Sequence, residues 1–270
     1  MSACGKSLRL SRILPRGRGA LVIAFDHALV LGPLAGTADP KLQLRRFAES
    51  PADALLLNLG ILRQAVDALT AGPAPAIIVR LDWTSIWAAK GPHSDSKDRS
   101  ALVAQPEHAL RHGADAVATY MIMGTGDADF EAAEIARTAA VARECETLGL
   151  PLIVESLARG RAVDRPADPE WLSLHTRVAA ELGADAIKTE YSGDVESMRG
   201  VVRNCPVPIL VLGGGRLGSD GEALELVRNA MRAGAAGVFF GRNVFQSPSM
   251  MEFLDLARAV LDGHPATIAP

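Results

Sequence analysis

The chain has 270 residues, 28 basic against 31 acidic side chains, a formal net charge of −3 and 49% apolar residues. That balance excludes a disordered or collagenous chain, and the lack of a dense Lys/Arg run argues against a nucleic-acid partner held through its phosphates. No apolar run approaches the roughly 18 residues of a membrane span, and Cys4, Cys145 and Cys205 have neither disulfide nor metal-ligand spacing, so a cytoplasmic protein without a membrane partner is expected.

The first 19 residues lack an apolar signal core and carry Lys6, Arg9, Arg12, Arg16 and Arg18, which reads as a basic N-terminal arm. From residue 20 onward the apolar rhythm changes period repeatedly. Continuous apolar runs at 20–25, 54–58, 76–81, 116–121, 151–155, 186–190, 208–212 and 236–240 read as strands covered on both faces. Stretches with helical spacing lie between them, among them 130–148, 170–182, 222–233 and 250–261. Strand followed by helix, eight times in this length, is the count of one α/β domain, a (β/α)8 TIM barrel over 20–263 with a short tail at 264–270. An open doubly wound sheet uses the same units and is the alternative.

An internal echo supports the barrel. The second, fourth, sixth and eighth strands are introduced by Pro51-Ala-Asp-Ala, Gly113-Ala-Asp-Ala, Gly183-Ala-Asp-Ala and Gly234-Ala-Ala-Gly. The third, fifth and seventh follow Pro75, Pro151 and Pro208, so the repeat alternates as odd and even barrel strands do. The segment 83–105 reads as irregular and lies over the barrel mouth; Lys90, Lys97 and Arg99 there could meet an anionic group or keep a lid soluble, and His93 reads as surface.

A barrel of this kind carries its chemistry at the C-terminal ends of its strands. That filter selects Asp26, His27, Asn58, Asp82, Tyr120, Glu155, Lys188 and Glu190, then Gly213, Gly214, Gly215, Gly241 and Arg242. Lys188 is one of only five lysines and sits late in an apolar strand. Loss of solvation there disfavours the cation, and the free amine can attack a ketone or aldehyde to give a Schiff base, an electron sink for C–C bond chemistry. A structural lysine paired with Glu190 or Glu155 is the other reading.

Val211-Leu-Gly-Gly-Gly and Phe240-Gly-Arg-Asn, after strands seven and eight, suit a phosphate cradle of backbone N–H groups with Arg242 adding charge. Asp26 can hold a substrate hydroxyl or move a proton, while His27 reads more readily as a capping residue. Glu155 and Tyr120 are further acid/base candidates; Glu155 needs burial to raise its pKa before it can donate a proton near neutrality. No His/Asp/Glu cluster has metal-ligand spacing.

Phe25-Asp-His-Ala with Gly32-Pro, Ala184-Asp-Ala-Ile-Lys-Thr-Glu-Tyr-Ser-Gly-Asp, Gly213-Gly-Gly and Gly241-Arg-Asn-Val-Phe-Gln, in that order, resemble the archaeal-type class I fructose-bisphosphate aldolases. These stand within the DeoC/LacD-type aldolases, beside 2-amino-3,7-dideoxy-D-threo-hept-6-ulosonate synthase and the autoinducer-2 thiolase, and the resemblance runs from residue 21 to 261. It implies a Schiff-base lysine at Lys188, an aspartate at Asp26, and a phosphate site at Gly214, Gly215, Gly241 and Arg242. It also implies a homo-oligomer, often a decamer in this group.

One departure bears on the chemistry. The sugar-phosphate aldolases of this type carry an acid/base tyrosine in a Tyr-Pro-Arg-Gly run after strand five. Here the run is Glu155-Ser-Leu-Ala-Arg-Gly, and Leu157 stands at the tyrosine position. Leucine cannot transfer a proton, so Glu155 is the expected replacement. The combined reading is a metal-independent class I aldolase or transaldolase acting on a phosphorylated ketose and an aldehyde, with catalytic Lys188, Asp26 and Glu155. His27, Asp82, Tyr120 and Glu190 are expected around the substrate, and no cofactor is expected beyond the covalent Schiff base. A coenzyme A-dependent acyl transferase and a non-catalytic sugar-phosphate-binding barrel are the alternatives.

Overall fold

The computed structural model describes residues 2–87 and 99–264. Eight parallel strands close into a barrel: β1 (Ala20–Ala24), β2 (Ala54–Asn58), β3 (Ala76–Arg80), β4 (Ala116–Met123), β5 (Leu152–Ala158), β6 (Ala186–Thr189), β7 (Ile209–Leu212) and β8 (Gly237–Phe240). Each strand pairs with its sequence neighbour, and β8 closes on β1 through Ala20↔Gly237 to Ile23↔Phe240. This is the (β/α)8 TIM barrel expected from the sequence, and the open sheet is excluded. No helix among the described residues is long and apolar enough to cross a membrane.

The helices at Ala128–Leu148, Pro169–Glu181, Asp220–Arg232 and Met250–Leu261 match the helical spacing, and three of the four start at an Asp or Ser whose side chain accepts from the first-turn amides. Two features differ from the sequence reading. Strands β4 and β5 run past 121 and 155 because Ile122↔Leu157 and Met123↔Ala158 continue their pairing beyond the rim. Within the segment read as irregular, Asp82–Thr84 and Ser100–Leu102 form an antiparallel ribbon, with Trp83 opposite Ala101. His93, Lys90 and Lys97 lie outside the described residues.

The barrel interior is filled in layers. Ala20, Val22, Ala24, Ala54, Leu56, Ala76, Ile78, Ala116, Ala118, Ile153, Ala186, Leu210 and Phe239 form one inner cluster, in which many alanines are balanced by a few large side chains. Ile13 belongs to the same cluster and is fully buried. It ends a helix, Ser2–Ile13, that lies beneath the floor, so the segment read as a basic arm is helical and plugs the barrel.

The internal echo has its explanation at this floor. Asp53, Asp115 and Asp185, the aspartates of the three Ala-Asp-Ala runs, accept from the amides of Leu21, Ile77 and Leu152 at 2.8, 2.9 and 2.8 Å. Each thereby ties an even strand to the strand before it. Each also meets one basic residue from the N-terminal segment: Arg18 with Asp53 at 2.5 Å, Arg12 with Asp115, and Lys6 with Asp185 at 2.9 Å. In the fourth unit Ala236 stands in place of the aspartate. Ile13→Ala should lower stability to urea by about 2–4 kcal/mol, as removal of a buried aliphatic side chain does. A loss below about 1 kcal/mol would show that the N-terminal helix does not seal the floor.

Candidate active site

Side chains alternate along a strand, so each interior residue is followed two positions later by another inward one. From the apolar layer at Ala24, Ile78, Ala118, Ile153, Ala186 and Phe239, one such step gives Asp26, Arg80, Tyr120, Glu155, Lys188 and Gly241. A polar layer therefore lies directly on the apolar one, at the C-terminal end of the barrel. Glu155 is in register with both Tyr120 and Lys188. Lys188 Nζ is 2.8 Å from Glu155 Oε2 and 4.7 Å from the centre of the Phe239 ring.

The centre of this layer is Arg80, with 1% of its surface exposed. Its Nε donates to Asp26 Oδ2 at 2.9 Å, Nη2 pairs with Glu155, and Nη1 is 3.6 Å from Asp82 Oδ1. The guanidinium carbon is 3.8 Å from the centre of the Tyr120 ring. A buried cation is tolerable only among such partners, and the partners gain as much from it. Burial pushes Asp26 upward, but the charges of Arg80, Lys188 and His27 outweigh it and hold the carboxyl down to about 2. Glu155 is likewise pushed up by burial and then brought below its ordinary value by Lys188 and Arg80. Burial alone would raise Glu155, as its sequence position suggests, but with these cations it is an ionised acceptor beside the lysine.

A cavity of about 300 Å³ opens above this layer, lined by Asp26, His27, Tyr120, Glu155, Lys188, Glu190 and the loops after β7 and β8. Two glycines there are required by close approach. A Cβ at Gly213 would fall 2.7 Å from Asn243 Nδ2, and one at Gly241 would fall 2.2 Å from His27 Cε1. Asn243, fully buried, donates to the carbonyls of Gly213 and Gly215 at 2.8 and 3.1 Å and accepts from the Leu217 amide at 2.9 Å. It fixes the turn after β7 against the turn after β8. Arg242 lines the same end of the cavity, and its buried Nε has no partner. Glycine backbone and an unsatisfied guanidinium can together bind an anion.

A family model described as DeoC/LacD family aldolase matches residues 20–247. An aldolase of Saccharolobus solfataricus is 33% identical over 90% of this chain and 89% of its own. The 2-amino-3,7-dideoxy-D-threo-hept-6-ulosonate synthase of Halobacterium salinarum is 38% identical over 91% of this chain and 87% of its own. The chain belongs to the DeoC/LacD aldolase family. A solved archaeal fructose-1,6-bisphosphate aldolase, whose catalytic lysine is covalently bound to the carbinolamine intermediate of its substrate, matches with a TM-score of 0.82 and 28% identity, covering 96% of this chain and 100% of that chain.

Not every site residue expected in this aldolase reaches the cavity. Asp82 is fully buried behind Arg80, where it accepts the Tyr120 amide at 2.8 Å and lies 3.2 Å from Arg137 Nη2. Burial raises its carboxyl to about 6 despite Arg80 and Arg137, and its position is that of a strut for β4. Tyr120 does line the cavity. Burial drives its hydroxyl well above the ordinary range, only partly offset by Arg80, so it stays protonated. Burial lowers the His27 imidazole, against the pull of Asp26. Its Nδ1 is 3.5 Å from Asp26 Oδ1. Asn58 turns away from the cavity and donates to the Asp26 carbonyl at 2.9 Å.

Leu157 is on the cavity wall, 1% exposed, in an apolar group with Tyr120, Ile122, Phe130, Ile86, Trp87 and Leu212. Arg80, Arg137 and Asn243 were not selected from the sequence. Arg80 reads as part of an apolar strand; its charge at an inward position is the signal that marks it. Asp26, held near 2, contributes stability that is fully present above about pH 4 and is lost as pH falls toward 2, about 2 kcal/mol in all. Urea midpoints of Asp26→Asn should therefore fall less steeply than those of the unaltered aldolase between pH 4 and 2. An equal slope would contradict the Arg80–Asp26 assignment.

Proposed function

We propose that this aldolase breaks or forms a C–C bond in a phosphorylated ketose through a Schiff base on Lys188, with neither metal nor added cofactor. The observation that carries the reading is Lys188 Nζ at 2.8 Å from an ionised Glu155, in a cavity that ends in the glycine and Arg242 cradle. The cradle would hold the phosphate and so fix the adjacent keto carbon against the amine, turning an encounter into a nearly unimolecular step.

Glu155 takes a proton from the Lys188 ammonium, and the free amine adds to the keto carbon. The protonated Glu155 then gives its proton to the departing hydroxyl, which leaves as water, and a protonated imine remains. Cleavage sends the C–C bonding electrons into that imine, giving an enamine, while the hydroxyl proton of the aldehyde half passes to the ionised Glu155. Asp26, anchored by Arg80, accepts a hydrogen bond from a substrate hydroxyl. Glu155 thus covers the role that Leu157 cannot.

Incubation with dihydroxyacetone phosphate and borohydride should leave a stable adduct that peptide mapping places on Lys188. In Lys188→Met the adduct should disappear while the fold persists. Glu155→Gln should slow adduct formation by at least about 100-fold, the range typical of a lost proton-transfer group. An adduct on another residue, or none on folded protein, would overturn the reading. An unchanged rate in Glu155→Gln would remove Glu155 from it.

A further inference from the structure

The cavity presents three cations among the described residues, Lys188, Arg159 and Arg242. Two of them are already neutralised. Lys188 is paired with Glu155. Arg159 donates from Nη1 and Nη2 to the two oxygens of Glu190, at 2.8 and 2.6 Å. A third bond, from Arg159 Nη1 to the Ala158 carbonyl at 2.7 Å, and the Trp87 ring 5.1 Å from its guanidinium carbon hold that pair in place. The two side chains are only 19% and 18% exposed, so the pair is largely out of water and little screened.

The remaining guanidinium, Arg242, makes no ion pair among the described residues, and its Nε is buried without a partner. It stands after β8, beside the glycine turn after β7. The neutral pair stands after β5 and β6, with Trp87 and Leu157 beside it. One end of the cavity therefore offers an unpaired positive charge. The other offers a neutral fork beside an apolar wall. A phosphate entering that second end would have to displace a bidentate carboxylate and would then sit next to it, like charge against like charge.

We infer that Glu190 sets substrate choice by neutralising Arg159, so that the site takes a ketose with one phosphate, held at Arg242, and discriminates against a ketose phosphorylated at both ends. This rests on the Schiff-base reading of Lys188. Glu190 acts here through Arg159, as a positioning and charge-balancing residue.

The test uses the full chain and borohydride trapping of fructose 1-phosphate and fructose 1,6-bisphosphate at equal concentrations, with dihydroxyacetone phosphate as a separate reaction. The expected result is an adduct on Lys188 that forms at least tenfold faster from the monophosphate than from the bisphosphate. Glu190→Gln, which frees Arg159, should move that ratio at least tenfold toward the bisphosphate. The double change Arg159→Met with Glu190→Gln restores neutrality and should bring the monophosphate preference back. A bisphosphate trapped as fast as or faster than the monophosphate by the unaltered protein overturns the inference, whatever the variants do. So does an unchanged ratio in folded Glu190→Gln. Trapping of dihydroxyacetone phosphate without any trapping of the monophosphate overturns the inference but leaves the Schiff base standing. Failure to trap all three overturns the reading beneath it.

Discussion

Arg80 is a guanidinium almost without contact with water, enclosed by Asp26, Glu155, Asp82 and the face of Tyr120. Side chains from β3, β4, β5 and the turn after β1 meet at this one group, and with Lys188 it sets the ionisation of the layer around it. Without the cation, Asp26 would lose the largest charge that offsets its burial, and Glu155 would have only Lys188 to offset its own. With it, both carboxylates remain charged, and Glu155 Oε2 meets Arg80 and the lysine together. The arrangement trades an expensive burial of charge for a fixed set of acceptors at the place where a proton must leave an amine.

What lies below and above that layer keeps it in position. Below, the alanine-rich interior and the Ile13 plug give the strand ends a packed base, and the three floor aspartates lock neighbouring strands at a common height. Above, Asn243 joins the turns after β7 and β8, and Arg159 with Glu190 closes the side formed by β5 and β6. The substrate space is thus bounded by strand ends and side-chain bonds, a rigid support of the sort that chemistry with a defined attack geometry requires.

Much of this was legible in the sequence because it follows from period and position. Eight buried apolar runs announce the barrel, and charged residues at the ends of the first, fifth and sixth announce the layer that carries Asp26, Glu155 and Lys188. The floor helix was not legible, since its apolar content is low and its bases suggest a solvated arm; only the partners Asp53, Asp115 and Asp185 reveal why Lys6, Arg12 and Arg18 are spaced as they are. Arg80 was hidden inside an apolar strand. The ionisation of Glu155 was hidden with it, because burial alone predicts the opposite direction and only Lys188 and Arg80 together reverse it. Asp82, at the end of a strand, satisfied the same filter as Asp26, yet the chain turns into the ribbon there and carries the carboxylate behind the site.

Lys188 and, after it, Arg80 keep Glu155 ionised at the mouth of the barrel. A titration of the Glu155 carboxyl carbon by ¹³C NMR, assigned by its loss in Glu155→Gln, tests this most directly. An ionised carboxylate with no titration from about pH 5 to 8 is expected, with an upward shift in Arg80→Met, where Lys188 alone is left to offset burial. A Glu155 that titrates within that window in the unaltered protein would contradict it.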